Sequence, residues 1–187
     1  MEHTNVDGGK INQSKQTWIP HRDRIWVYVS ILFAILVLAI GIWDFAHRPA
    51  TAFHTRVFKS QFKNYGSLTR IGLFFVLANY VLLFALQMQL LNRWSTIKKG
   101  FVILLRFARR WHAPIAILSI GLILLHVIGA FLYGFTFDFS NVSGLLAFLV
   151  LLPVPVSGLF RYRKTDRKWH LRLGLGFAVL FIIHAFL

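Results

Sequence analysis

Five long apolar runs, separated by short basic segments, constrain this chain more than any other feature. The first, Ile25 to Trp43, is nineteen residues without a charge, and the others cover about 71–91, 112–135, 143–160 and 169–187. Each is close to the ~20 helical residues needed to cross about 30 Å of hydrocarbon. Lipid cannot satisfy backbone N–H and C=O groups, so each run is expected to be a helix. The sequence therefore predicts an all-α integral membrane bundle of about five transmembrane helices over 25–187, behind a polar tail, 1–24. Ala50-Thr51-Ala52 resembles a signal-peptidase site. The first run is longer than a signal core, and its leader is long and polar, so a retained span is expected.

Composition agrees. The 187 residues are 57% hydrophobic and 14% charged, where soluble domains run nearer 45–50% and 25%. An ordinary soluble enzyme is therefore not expected. Lys and Arg outnumber Asp and Glu by 21 to 6, a formal net charge of +15. In a soluble chain that would point to nucleic acid. Here the basic residues lie between the apolar runs, which is the positive-inside pattern, and no nucleic-acid partner is expected. The absence of cysteine excludes disulfides, Cys-ligated zinc, iron–sulfur clusters and covalently attached c-type haem.

Loop charge sets the expected orientation. Residues 161–168 carry five basic residues and 92–111 carry six, whereas 136–142 carry none. Placing the two basic connections inside gives a cytoplasmic N-terminus and an outer C-terminus, in the cytoplasmic (plasma) membrane. The connection 44–70 is then external despite Arg48, Arg56, Lys59, Lys63 and Arg70. Its apolar residues Phe53, Val57, Phe58, Phe62 and Tyr65 recur at helical spacing, so an amphipathic helix on the bilayer surface is expected there. Residues 97–107 are expected to form another.

Four of the eight histidines, His112, His126, His170 and His184, fall within predicted spans. Ionisable groups there are costly and usually functional. His112 and His126 are fourteen residues apart, as are His170 and His184. Fourteen residues advance an α-helix about 21 Å and return to within ~40° of the starting direction. Each helix thus presents two imidazoles on nearly one face. One span separates the two helices, so they run parallel, and His112 lies level with His170 and His126 with His184. Two matched pairs at two depths suit two stacked bis-histidine haems, because imidazole is a common axial ligand of haem iron. Gly121, Gly129, Gly174 and Gly176 on the same helices would admit a flat porphyrin or, equally, close helix packing. Arg109, Arg110, Arg167 and Arg172 would pair with haem propionates, or mark topology alone. His47 and His54 read as solvated surface groups, and His3 and His21 carry no signal.

The pattern His112-x13-His126, one span, then His170-x13-His184 resembles the ferric-reductase-like transmembrane domain. That superfamily includes ferric reductases, NADPH oxidases and the haem-binding membrane subunit of the bacterial methionine sulfoxide reductase system. The run from Asn92-Arg93-Trp94 to Arg110-Trp111-His112 resembles the family's basic, aromatic entry into its first haem helix. The resemblance covers about residues 67–187. It implies two non-covalent b-type haems, with iron axially ligated by the four histidines, carrying single electrons across the membrane. Larger members continue into a cytoplasmic flavin and nicotinamide domain. This chain stops three residues after His184 and has no Gly-x-Gly-x-x-Gly fingerprint. Electrons are then expected from a separate flavoprotein or a quinol, and to leave for an outer-side acceptor. The chain would be an oxidoreductase or the electron-transfer subunit of one, with flavin or quinone as further cofactors left open.

Alternatives remain at this level: a quinol-dependent cytochrome b, or a non-redox membrane subunit whose histidines brace the bundle or relay protons. Pro153 and Pro155 should kink the fourth span. Phe177 and Phe181 would lie between the two histidine levels, and Asp44 and Asp138 sit near outer span ends.

Overall fold

The computed structural model describes residues 21–89, 93–160 and 167–186. The tail with His3, the connection 161–166 and the side chains of His21 and Arg167 lie outside the described residues. Six α-helices follow in order: α1 His21–Ala46, α2 Arg56–Gln87, α3 Ser95–Gly134, α4 Phe139–Leu151, α5 Pro153–Phe160 and α6 Arg167–Phe186, with a 3-10 turn at Ala50–His54. No strand occurs among the described residues. Five segments are long and apolar enough to cross a membrane: 24–46, 56–87, 95–134, 139–158 and 168–186. The protein is a multi-pass integral membrane protein. Large side chains such as Leu32, Phe33, Ile35, Ile71 and Leu175 are exposed on these helices, as a lipid-facing surface requires.

Local chemistry fixes the helix ends. Thr55 caps α2, its Oγ1 accepting from the Phe58 N–H at 3.3 Å and donating to the Ala52 carbonyl at 2.7 Å. Gly134 ends α3 at φ +118°, a left-handed conformation that costs a glycine little. Asp138 caps α4, accepting from the Asn141 N–H at 2.8 Å. The fourth span breaks at Leu152, and α5 opens on Pro153. That is the expected interruption, since proline lacks the N–H that a continuing helix needs.

Two segments differ from expectation. Residues 44–70 do not form a separate surface helix. From Arg56 onward they are the opening turns of a continuous 32-residue α2. Phe58, with no exposed surface, and Phe62 pack against Phe45 of α1 and Leu125 of α3. The apolar stripe that suggested lipid contact has found protein instead, which holds these turns against the bundle. Likewise, 97–107 is continuous with a 40-residue α3. Leu105 and Ala108 are buried against Leu82, beside Phe75 and Leu86 of α2. At 1.5 Å per residue, α3 runs about 60 Å, twice the hydrocarbon thickness.

The helices form two groups. α3 packs closely on both α1 and α2, and α6 packs closely on α4 and α5. Side chains join the groups. Leu73 of α2, Ile123 of α3, Ala147 and Leu151 of α4, and Phe177 and Phe181 of α6 make one buried cluster. All four histidines of interest lie on α3 and α6, one helix from each group.

Candidate functional site

The imidazoles of His126 and His184 come together across the two helix groups. Their ring centroids are 6.4 Å apart, with planes inclined by 57°. His126 is held from α2, its Nδ1 lying 2.9 Å from the Phe62 carbonyl oxygen. His184 is held from α4, with Nδ1 3.0 Å from the Ser140 carbonyl oxygen and 3.5 Å from Ser143 Oγ. A carbonyl only accepts, so Nδ1 carries the proton in both rings. The Nε2 lone pair is then left to face elsewhere. His170, 9% exposed, is seated the same way, with Nδ1 3.2 Å from both the Val154 carbonyl oxygen and Ser157 Oγ.

The three seats share one construction. In each, the accepting carbonyl belongs to a residue four places before a glycine, and the imidazole lies on that glycine. A Cβ on Gly66 would meet His126 Nδ1 at 2.8 Å. A Cβ on Gly144 would meet His184 Cε1 at 2.7 Å, and one on Gly158 would meet His170 Cε1 at 3.4 Å. Residues i and i+4 lie above one another on a helix, so a side chain at i+4 shields the carbonyl at i from outside donors. Glycine there leaves the second lone pair open to an imidazole. Serines at Ser143 and Ser157 immediately precede two of these glycines and share the histidine proton. Ser143-Gly144 and Ser157-Gly158 recur at fourteen residues, the spacing of His170 and His184, because α6 runs antiparallel to α4–α5. This signal lies in the sequence, yet only the helix register gives it meaning.

His112 is seated differently. Fourteen residues back from His126 on α3 corresponds to fourteen forward on antiparallel α2, which puts Tyr80 where Gly66 stood. The Tyr80 ring lies edge-on to His112, centroids 6.2 Å apart at 73°. Its hydroxyl reaches α6, where a Cβ on Gly174 would meet it at 3.2 Å. Tyr80 thus spans from His112 to a point one turn from His170, at one depth in the bundle. Beside it, Asn79 Oδ1 is buried with no hydrogen-bond partner among the described residues.

The glycines singled out from sequence do other work. A Cβ on Gly121 would meet Ala34 of α1 at 3.4 Å, and one on Gly129 would meet Phe62 of α2 at 2.5 Å. They admit neighbouring helices, which is the packing alternative. Gly176 borders only Val150, at 4.0 Å. Arg109 and Arg110 are exposed on α3, and Arg172 lays its guanidinium over Trp169, 5.9 Å from the ring centroid. Nearer the His126–His184 pair, Lys63 and Arg70 of α2 lie on either side of Gly66, on which His126 rests. Phe177 and Phe181, both 6% exposed, stack at 5.8 Å and 22° between the two histidine levels. His47 and His54 are exposed and bond to separate carbonyls, of Trp43 at 2.9 Å and Tyr133 at 3.0 Å.

What can this arrangement hold? No cluster of three or more His, Cys, Asp or Glu suited to a bare metal ion occurs among the described residues. A metal bound axially between two imidazoles needs only the pair. The ring centres of His126 and His184 are 6.4 Å apart, close enough for both imidazoles to reach one group held between them. Backbone carbonyls on the opposite nitrogens are the usual second shell of a metal-bound histidine. Two imidazoles with Nδ1 tied to carbonyls and rings this close have the donor chemistry of a bis-histidine haem site. The chain matches no family model, no curated protein and no solved structure.

Proposed function

We propose that the protein is a di-haem b-type membrane cytochrome that carries single electrons across its membrane, from a flavoprotein or quinol to an outer-side acceptor. The observation that carries this reading is the opposed pair His126 and His184, 6.4 Å apart, each with Nδ1 tied to a helix carbonyl. Haem bound there would supply reversible one-electron chemistry, with a potential tuned by ligand, burial and hydrogen bonding.

The chain's own residues do the rest. His126 and His184 hold the outer site from opposite helix groups. His112 and His170 would hold the inner one, with Tyr80 between His112 and Gly174 of α6. The carbonyls of Phe62, Ser140 and Val154 fix the tautomer, so that the nitrogen facing away from the seat is the one able to ligate. The layer containing Leu73, Ile123, Phe177 and Phe181 excludes water between the levels. The basic segments at the 92–111 and 161–168 connections support an N-terminus in the cytoplasm and a plasma-membrane location.

A second reading has one observation in its favour. The anchored imidazoles already tie α3 to α2, and α6 to α4 and α5, by interhelical hydrogen bonds. Such bonds alone would brace a non-redox bundle. Optical spectra of the detergent-purified protein, oxidised and dithionite-reduced, with haem quantified per chain, decide between them. Two b-type haems per chain support the cytochrome. A colourless protein from haem-replete cells overturns it and leaves the bracing role.

A further inference from the structure

Positions 59, 63, 66 and 70 share one face of α2, since they are separated by three and four residues. Gly66 is the point on that face where His126 lies. Lys63 and Arg70 therefore flank the imidazole seat, about 4.5 Å toward one end of the helix and about 6 Å toward the other.

Neighbouring cations are already engaged. Arg48 pairs with Asp44 at 2.8 Å, and Lys59 lies 5.1 Å from the centre of the Tyr133 ring. Lys63 and Arg70 make no side-chain ion pair or hydrogen bond among the described residues. The two acidic side chains described there are spent elsewhere. Asp44 is held by Arg48 and Gln61, and Asp138 by Thr136 and Asn141. A cation within a membrane-spanning helix calls for an anion, and this chain has six acidic residues for 21 basic ones. Two exposed cations on either side of the glycine that seats an imidazole suit a flat apolar group that carries two carboxylates on one edge.

We propose that Lys63 and Arg70 receive the two carboxylates of the tetrapyrrole held between His126 and His184. This rests on the cytochrome reading and assigns the carboxylates at this pair to α2.

The test is a pair of absorbance titrations of full-length apoprotein from haem-deficient cells, with iron protoporphyrin IX and with its dimethyl ester. Wild type should take up two equivalents of the free acid. One equivalent, the one absent in His184→Ala, should bind the ester about tenfold or more weakly, as expected on losing a charge-assisted hydrogen bond. Lys63→Met/Arg70→Met should bind both forms with the weaker affinity. Lys63→Arg/Arg70→Lys should restore the discrimination. Equal binding of acid and ester by wild type overturns the assignment, and that comparison needs no variant to fold. Unchanged discrimination in the double Met variant also overturns it and leaves lipid phosphate as the anion these cations meet. Uptake of neither porphyrin by wild type would overturn the cytochrome reading itself.

Discussion

His126 of α3 and His184 of α6 face one another at 6.4 Å, although the close helix packing of this protein lies within two separate groups. Each ring is held by a carbonyl on a further helix, His126 from α2 and His184 from α4. The pair therefore depends on four helices: α3 and α6 supply the rings, and α2 and α4 orient them.

If the pair acts as one site, its members are not additive. His126→Ala and His184→Ala should each lower haem from two per chain to one, and the double variant should stay at one. The pyridine haemochrome assay measures this directly. A double variant that loses the second haem as well would mean that the two levels are a single site.

The glycine seats predict a ranking. Gly66→Ala and Gly144→Ala place a methyl at 2.8 and 2.7 Å from an imidazole, so the ring must leave its carbonyl. Each should cost about 1–3 kcal/mol, the usual range for overpacking, and should loosen haem at the outer level. Gly158→Ala meets His170 only at 3.4 Å. There the helix preference of alanine over glycine, about 1 kcal/mol, should offset the contact. Thermal melts with haem retention read both effects, and equal behaviour of all three variants would contradict the seat.

Packing away from the histidines should separate stability from haem. Gly41 of α1 touches Leu125, which is fully buried, and a Cβ there would lie 2.5 Å from Leu125 Cδ2. Gly41→Ala should lower the melting temperature by the equivalent of about 1–3 kcal/mol, while haem content and spectrum stay unchanged. A spectral change would mean that the α1–α3 contact positions the site.

Asp138 should make stability depend on pH at the start of α4. Its carboxylate accepts from Thr136 Oγ1 at 2.6 Å and from the Asn141 N–H at 2.8 Å, and these bonds hold its pKa below the ordinary value. A pKa depressed on folding contributes stability that is complete above the unfolded-state value, about 4, and lost as pH falls through the folded one. The melting-temperature gap between wild type and Asp138→Asn should therefore be constant near neutrality and close in acid. A gap that persists unchanged to pH 2 would show that the carboxylate's charge is irrelevant to the cap.

Much of this was legible in the chain. The five apolar runs gave the number of spans, because the bilayer admits little else for twenty uncharged residues. The fourteen-residue spacing marked all four histidines, because helical periodicity alone places them on one face. The break at Pro153 follows from a missing donor. The span boundaries were not legible: an apolar stripe such as Phe58 and Phe62 looks the same whether it meets lipid or another helix. Nor were the seats. Gly121 and Gly129 lie on the histidine helices yet serve Ala34 and Phe62, while Gly66 and Gly144 lie on other helices and serve the imidazoles.

The sequence by itself determined a helical membrane protein with four histidines on two of its spanning helices, since hydropathy and period are properties of single segments. Only the tertiary structure decided which carbonyl and which glycine the rings of His126, His170 and His184 meet. Those depend on the register between helices far apart in the chain, and no one segment encodes the offset at which it will pack against another.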